Sequence, residues 1–347
     1  MRSNGERMPQ GCAIVGTGGA ARSHAAHLKA LPHVKLHAIW GSDPQRTAQI
    51  AQTLDCHAAT DFHQLLNHAD ISAIIFANEP GRHVLAAQAA RAGRHVLVEK
   101  PLAATLHDGE EIVAACRENN IVAATVFQRR FGTEVAQIKE LLNQETIGRI
   151  RRVETRTLIH RDPSYYRQGN RWRLEPCGGL VMNFLSHQLD LVIHFFGPVR
   201  RVFACLDFLE PGSRIDREAM IILELCYGLR VTIWAAANFP KPFGESWTII
   251  GEEGSIRMYG NTLQISDKPW GNDMPVGMRH HLRHWFFSRR SPPPPVSGTL
   301  KDQHADFFAA IEEGRDPKVT IEDGWNVLKL TWAIHESHDR KTWVELL

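Results

Sequence analysis

Between residues 12 and 125, short apolar runs rich in β-branched residues alternate with Ala-rich stretches, the pattern that builds βαβ units around a parallel sheet. The apolar runs predict strands at 12–15, 35–40, 71–76, 95–98 and 121–125. The intervening stretches predict helices at 20–30, 44–54, 83–92 and 106–119, with Gly93 placed to end the third. After Phe127 the pattern changes. A helix at 133–143, a strand from Ile150, a loop rich in Arg and Tyr, and a helix at 180–196 lead into longer alternating runs. Those at 199–207, 218–226, 230–237, 245–250 and 255–259 predict a mixed, largely antiparallel sheet covered on one face. Four consecutive prolines within 291–298 exclude helix and central strand and predict an exposed extended loop. Helices at 301–313 and 321–337 close the chain. The expected fold is therefore α/β. A doubly wound parallel Rossmann sheet occupies 1–126, and an α+β domain with a large mixed, mostly antiparallel sheet occupies 127–347.

Composition adds exclusions. A chain of 347 residues exceeds the usual limit of one core, and 43% apolar with 22% charged residues is ordinary for two packed domains. The net charge is only +2 with no concentrated basic run, which argues against nucleic acid as a partner. Six scattered cysteines without a CxxC pair suit neither a disulfide framework nor a zinc knuckle and predict reduced thiols. The polar opening segment offers no secretory core, and no apolar run is long enough to span a bilayer. The expected setting is cytoplasmic, with no membrane partner.

The first strand runs into Gly16-Thr17-Gly18-Gly19-Ala20-Ala21, a GxGxxA arrangement between an apolar strand and an Ala-rich helix. In that context the motif binds a dinucleotide pyrophosphate at the helix N-terminus; a merely tight turn or a nucleoside-type methyltransferase loop are the alternatives. At the tip of the second strand, where a ribose-binding acid would stand, the chain reads Trp40-Gly41-Ser42-Asp43. Gly41, Ser42 and Arg46 would tolerate a 2′-phosphate, so that Gly41→Asp would reverse a preference for NADP. The alternative is that Asp43 caps the next helix and Arg46 is solvated. The strand at 95–98 ends in Glu99-Lys100-Pro101, at the edge where open α/β sheets bind ligands. A partly desolvated lysine there can exchange protons with an alcohol; a strand-end salt bridge is the bland reading.

On the helix at 180–196, Asn183, His187, Asp190 and His194 fall on one stripe. Imidazole beside carboxylate is the material of an acid/base relay, and a polar face turned to water is the alternative. No metal is expected: His280, His281 and His284 lie among arginines beside the proline run, without a carboxylate or thiol.

The glycine-rich turn, Val98-Glu99-Lys100-Pro101, and Gly178-Gly179 followed by His187 and Asp190 together resemble the glucose-fructose oxidoreductase and inositol dehydrogenase family, Gfo/Idh/MocA. The likeness covers nearly the whole chain and takes in His83, the Gln128–Phe131 junction, Gly148-Arg149-Ile150 and Gly251 to Gly254. It implies hydride transfer between NAD or NADP and a secondary alcohol of a sugar, cyclitol or sugar derivative. It also implies a homodimer or homotetramer formed through the open sheet. Lys100 and His187 would be catalytic, in a cleft between the domains. Gly16, Thr17, Gly18, Ala20, Ala21, Gly41, Ser42, Arg46, Ala77, Asn78, His83, Glu99, Lys100 and Gln128 would meet the cofactor. Tyr166, Trp172, Arg173 and Asn183 would join Lys100 and His187 around the substrate. Asn183, where many members carry aspartate, is similar to the sugar-nucleotide 3-dehydrogenase branch. Leu185 replaces a usual glycine, and Asn78-Glu79-Pro80 replaces a usual Thr-Pro-Asn. The family also contains NAD-assisted glycosidases, and a cofactor-binding regulator without turnover is a third reading.

Overall fold

The structure, a computed structural model, describes residues 10–167, 171–240, 243–260, 262–266 and 299–346. The three clustered histidines and the proline run lie outside them. Two compact units emerge. The first joins the described residues up to Gln128 with Thr299–Leu328, and the second joins those from Arg129 to Ser266 with the segment after Leu328. The first helix of the closing pair belongs to the opening unit.

The first unit holds a six-stranded parallel sheet in the order β3-β2-β1-β4-β5-β6. Its strands are β1 (Gln10–Val15), β2 (Val34–Trp40), β3 (His57–Ala58), β4 (Ala73–Phe76), β5 (His95–Val98) and β6 (Ala123–Thr125). Near-continuous burial of Ile14, Ile39, Ile74, Ile75, Phe76, Val96, Leu97 and Val98 marks a sheet covered on both faces. Helices α1 (Gly19–Leu28), α2 (Pro44–Leu54), α3 (Phe62–Asn67), α4 (Leu85–Arg91) and α5 (Leu106–Glu118) connect the strands. Helix α2 starts where expected because Asp43 accepts the Arg46 backbone N–H at 3.0 Å and Pro44 takes the first helical position. The buried residues of α1, Ala21, His24, Ala25 and Leu28, keep the i, i+3, i+4, i+7 spacing of one face.

In the second unit, α6 (Thr133–Asn143), β7 (Ile150–Leu158), α7 (Pro163–Arg167) and α8 (Ser186–Phe196) precede β8 (Val199–Phe208), β9 (Asp216–Leu225), β10 (Arg230–Ala236), β11 (Gly244–Gly251), β12 (Ser255–Tyr259) and β13 (Thr262–Ser266). Two helices follow in sequence, α9 (Leu300–Glu313), which belongs to the first unit, and α10 (Ile321–Arg340); β14 (Val344–Glu345) ends the chain. The eight-stranded sheet runs β13-β12-β11-β7-β10-β9-β8-β14, antiparallel except between β7 and β10. Val231, Ile233 and Ala235 are buried while Arg230, Thr232 and Trp234 reach the other face, the alternation of a sheet with one dry side. Among the described residues no helix is long and apolar enough to cross a membrane, and all six cysteines are free thiols.

Candidate active site

In the first unit the predicted cofactor residues gather at the carboxyl edge of the parallel sheet. Gly16 ends β1 with φ +127°, and a Cβ there would stand 2.6 Å from the Ala77 carbonyl oxygen and 3.0 Å from the Asn78 nitrogen. Only glycine lets the turn lie this close to the end of β4. Gly18 and Gly19, by contrast, have no heavy atom within 4 Å of a Cβ position, so the helix N-terminus faces open space. The first backbone N–H groups of α1, those of Gly19, Ala20 and Ala21, point there without an intrahelical acceptor.

That open cradle fits a dinucleotide diphosphate, and two amides add to the fit. Both side-chain polar atoms of Asn78, and Oε1 of Gln128, are buried without a hydrogen-bond partner. Buried amides left unsatisfied in the protein are the groups a nicotinamide or its ribose would satisfy.

At the tip of β2 the structure departs from expectation. A Cβ on Gly41 would meet the Thr17 side chain at 2.7 Å and the Thr47 hydroxyl at 3.2 Å. Glycine there lets Thr17 pack against β2, so Gly41→Asp would disturb that packing as well as any ribose contact. Asp43 is spent on the helix cap, and Ser42 is exposed. Arg46 is not simply solvated: its Nε donates to the Thr17 carbonyl at 3.3 Å, which ties the guanidinium to the glycine-rich turn.

His83 is a second departure. It is fully buried, with Nδ1 3.1 Å from the Pro101 and Leu102 carbonyls and Nε2 3.2 Å from the Asn78 carbonyl. Burial pushes its imidazole down. The ring braces the segment after β4 against the cis Lys100–Pro101 turn, with both nitrogens facing backbone carbonyls of the fold.

Lys100 leaves β5 half-buried. The preceding Glu99 turns its carboxylate inward: Oε2 accepts the Lys100 backbone N–H at 3.1 Å, and Oε1 lies 3.1 Å from His24 Nε2. Burial raises the Glu99 carboxyl, but the His24 hydrogen bond and the Lys100 charge outweigh it and hold it below the ordinary carboxylate value. His24 in turn contacts His304 at 2.8 Å. Both histidines escaped the sequence reading. His24 had one visible signal, its place on the otherwise apolar stripe of α1.

In the second unit the stripe expected on one helix is broken. Residues Leu180–Phe184 form a π-helical turn, with Leu185 N–H donating to the Leu180 carbonyl at 2.9 Å, before α8 begins. Leu185 is fully buried there. The Arg130 guanidinium grips Asp190, with Nε 2.9 Å from Oδ2 and a terminal nitrogen 2.6 Å from Oδ1, both side chains buried. His187 is buried, 8% exposed, one turn after Asn183.

The Gly178-Gly179 pair has a local reason. A Cβ on Gly178 would strike the Arg173 backbone at 2.4 Å, and one on Gly179 would strike Asp216 Oδ1 at 2.2 Å. The buried Asp216 accepts the Val181 N–H at 2.7 Å and pairs with His335 Nε2 at 3.0 Å, which anchors the turn carrying Asn183.

Around Asn183 sits an aromatic and cationic group. Its amide donates to the Tyr165 hydroxyl at 3.5 Å, and the Arg173 guanidinium lies 4.5 Å from the Tyr165 ring centre and 5.6 Å from that of Trp172. Trp172, Arg173 and Asn183 are thus joined through Tyr165. Tyr166 is not with them at the surface: it is 2% exposed, its hydroxyl buried without a partner and pushed up to about 12 by burial and by Asp216. Tyr165 is the tyrosine that meets Asn183 and Arg173. Two adjacent tyrosines cannot be told apart by type, and only the helical turn of α7 separates their directions.

A possible ligand cluster was also missed. His37, His68 and Asp70 each place a ligand atom within 4.8 Å of the others. Lys35 acts electrostatically on His37, which disfavours a cation, and the group belongs to β2 and the β4 approach rather than to the carboxyl edge.

Comparison with known proteins agrees with this architecture. The profile of the Gfo/Idh/MocA oxidoreductase family, NAD-binding Rossmann fold, matches residues 10–127, and that of its C-terminal alpha/beta domain matches 139–346. The chain is 25% identical over 316 residues to the scyllo-inositol 2-dehydrogenase (NADP(+)) of Bacillus subtilis, covering 87% of this chain and 86% of that one. It is 24% identical over 345 residues to the myo-inositol 2-dehydrogenase of Thermotoga maritima, covering 96% and 97%. Among solved structures, the WlbA dehydrogenase of Bordetella pertussis in complex with NADH and UDP-GlcNAcA superposes with a TM-score of 0.83 at 22% identity, covering 98% and 99%.

Proposed function

The chain belongs to the Gfo/Idh/MocA family of oxidoreductases, and from that premise we propose that it oxidises or reduces a secondary alcohol of a sugar, cyclitol or sugar derivative. One observation carries the reading: a lysine stands at the end of β5 beside an ionised Glu99, on the same sheet edge as the open glycine cradle and the unsatisfied Asn78 amide. Relatives named for inositol dehydrogenation support the polyol class.

A bound nicotinamide would supply the hydride acceptor or donor. The chain's own residues handle everything else. Gly18, Gly19 and the N-terminus of α1 receive the diphosphate, and Asn78 and Gln128 orient the nicotinamide end. When a secondary alcohol loses hydride its hydroxyl proton must leave too, and Lys100 is proposed to take it, with His187 as the second proton-handling group. Asn183 and Tyr165 would orient substrate hydroxyls, and Arg173 and Trp172 would flank them.

NADP is proposed as the better cofactor, on Arg46 tied beside the turn, Ser42 exposed and Asp43 withdrawn into its cap. A homo-oligomer is proposed through the open face of the second sheet. There a groove of about 380 Å³ is lined by Phe203, Cys205, Met220, Ile222 and Trp234. Free thiols fit a cytoplasmic setting.

The test is a panel of inositols, sugars and sugar nucleotides with each cofactor, followed by nicotinamide absorbance. On the substrate so found, Lys100→Met should lose turnover by about 10²-fold or more with cofactor affinity nearly unchanged. Near-normal turnover of Lys100→Met would overturn the assignment. Release of a free aglycone without net reduction would turn the reading to a redox-assisted glycosidase.

A further inference from the structure

A buried chain of three titratable groups runs through the first unit without a place in the mechanism above. His304 on α9 approaches His24 on α1 at 2.8 Å, Nε2 to Nδ1, and His24 Nε2 approaches Glu99 Oε1 at 3.1 Å. Both histidines are fully buried, and 280 residues separate them. Polar groups so placed cost desolvation that apolar side chains of similar volume would avoid, so packing alone does not account for them.

Counting protons gives the chain a direction. Glu99 is already an acceptor from the Lys100 N–H, so His24 must donate to it from Nε2. In a neutral His24 ring Nδ1 is then a lone pair, and His304 donates to it from Nε2. The remaining nitrogen, His304 Nδ1, is buried without a partner. A bare lone pair there is tolerable. The reverse arrangement would bury an N–H with no acceptor and face a second lone pair to the carboxylate. Burial keeps His304 well below the ordinary histidine value, in keeping with a neutral ring.

We propose that His24 and His304 are positioning residues: His304 fixes the tautomer of His24, and His24 fixes the Glu99 carboxylate against the backbone of Lys100. Neither touches the alcohol. Their effect reaches it through the strand end from which Lys100 departs. The inference rests on the reading of Lys100 as the proton-handling group only for its kinetic consequence; the tautomer assignment stands apart from it.

The first measurement therefore needs no substrate. Long-range 1H–15N correlation spectra of the full-length protein, with assignments from His24→Gln and His304→Gln, should show both rings neutral and protonated at Nε2 near neutral pH. A His24 ring protonated at Nδ1 or at both nitrogens overturns the proposal, whatever the variants do. The second measurement compares His304→Leu with His304→Gln on the best substrate of the inositol and sugar-nucleotide panel. His304→Leu should lower kcat by about tenfold, the size of one hydrogen bond to a charged group, with the Kd of NADH and NADPH within about twofold of wild type. His304→Gln, which keeps a donor, should recover most of the loss. Wild-type kcat in a folded His304→Leu protein overturns the proposal. Near-normal turnover of Lys100→Met would instead overturn the catalytic reading and leave the spectrum to decide the chain.

Discussion

The two kinds of glycine in the first turn give the sharpest prediction. In Gly16→Ala the new methyl carbon would lie 2.6 Å from the Ala77 oxygen and 2.8 Å from its carbonyl carbon, both backbone atoms that cannot rotate away. The backbone there also sits at φ +127°, which costs an L residue about 1–3 kcal/mol. Relieving the overlap by shifting β1 from β4 adds about 1–3 kcal/mol more, the usual range for overpacking. The sum, about 2–6 kcal/mol, is a large part of the roughly 5–15 kcal/mol that holds a domain folded. Gly18 is different: φ −82° and ψ −167° are extended values any residue adopts, and nothing lies within 4 Å of its Cβ position. Gly18→Val should cost less than about 1 kcal/mol, mostly as a poorer N-cap. Its side chain would, however, stand in the space that a diphosphate needs, and affinity for NADH and NADPH should fall by about 100-fold or more. Urea unfolding and titration calorimetry on both variants separate the effects. A Gly16→Ala protein as stable as wild type, or a Gly18→Val protein that binds either cofactor normally, would refute the reasoning.

Arg46→Ala should weaken NADPH about five- to tenfold and leave NADH within about twofold, since an exposed guanidinium contributes less than a buried one; equal losses for both cofactors would show that Arg46 only supports the turn. Tyr166→Phe should leave stability unchanged or raise it by about 1 kcal/mol, because the hydroxyl it removes is buried without a partner, whereas Tyr165→Phe should raise KM; a clear loss of stability in Tyr166→Phe would contradict the placement. Burial pushes the His335 imidazole down, but the hydrogen bond and charge of Asp216 outweigh it, so its folded value lies above the ordinary 6.5. That pair's contribution is complete below the ordinary value and lost as pH rises through the raised one, so the stability gap between wild type and His335→Gln should narrow as pH rises above the ordinary 6.5; a constant gap would show that the pair does not titrate with folding.

Much of the first unit was legible because its signals are local. Asp43 and Pro44 announce a helix start wherever they fall, and the apolar runs at 12–15 and 95–98 are too continuous for a one-faced strand. His57–Ala58 and Phe62–Asn67 are too short to establish a period and were missed. The break before α8 was hidden as well, since a π-helical turn keeps nearly the same apolar spacing as the helix it interrupts. Of the site, the glycine turn and Lys100 were readable from their strand-end context. The pairing of Asp190 with Arg130 was hidden because 60 positions separate them in sequence. Gly41 and His83 were read as ligand contacts when each answers to neighbours, Thr17 in one case and three backbone carbonyls in the other. The common cause is that helical and strand periods report which face a residue takes but not what waits there.

The assignment of Thr299–Leu328 to the opening unit has a consequence for how the protein is made. Phe307 and Phe308 belong to the same buried cluster as Ile14 and Leu28, and Gln303 donates to the Thr125 carbonyl at 2.7 Å. A ribosome that has finished Gln128 must add roughly 170 residues before the segment that completes this core begins, about 10–35 s at ordinary elongation rates. During that interval the nascent sheet carries an uncovered apolar patch, which makes the early chain a natural client for a chaperone that binds exposed hydrophobic surface. Expression of 1–128 alone would keep the patch open permanently.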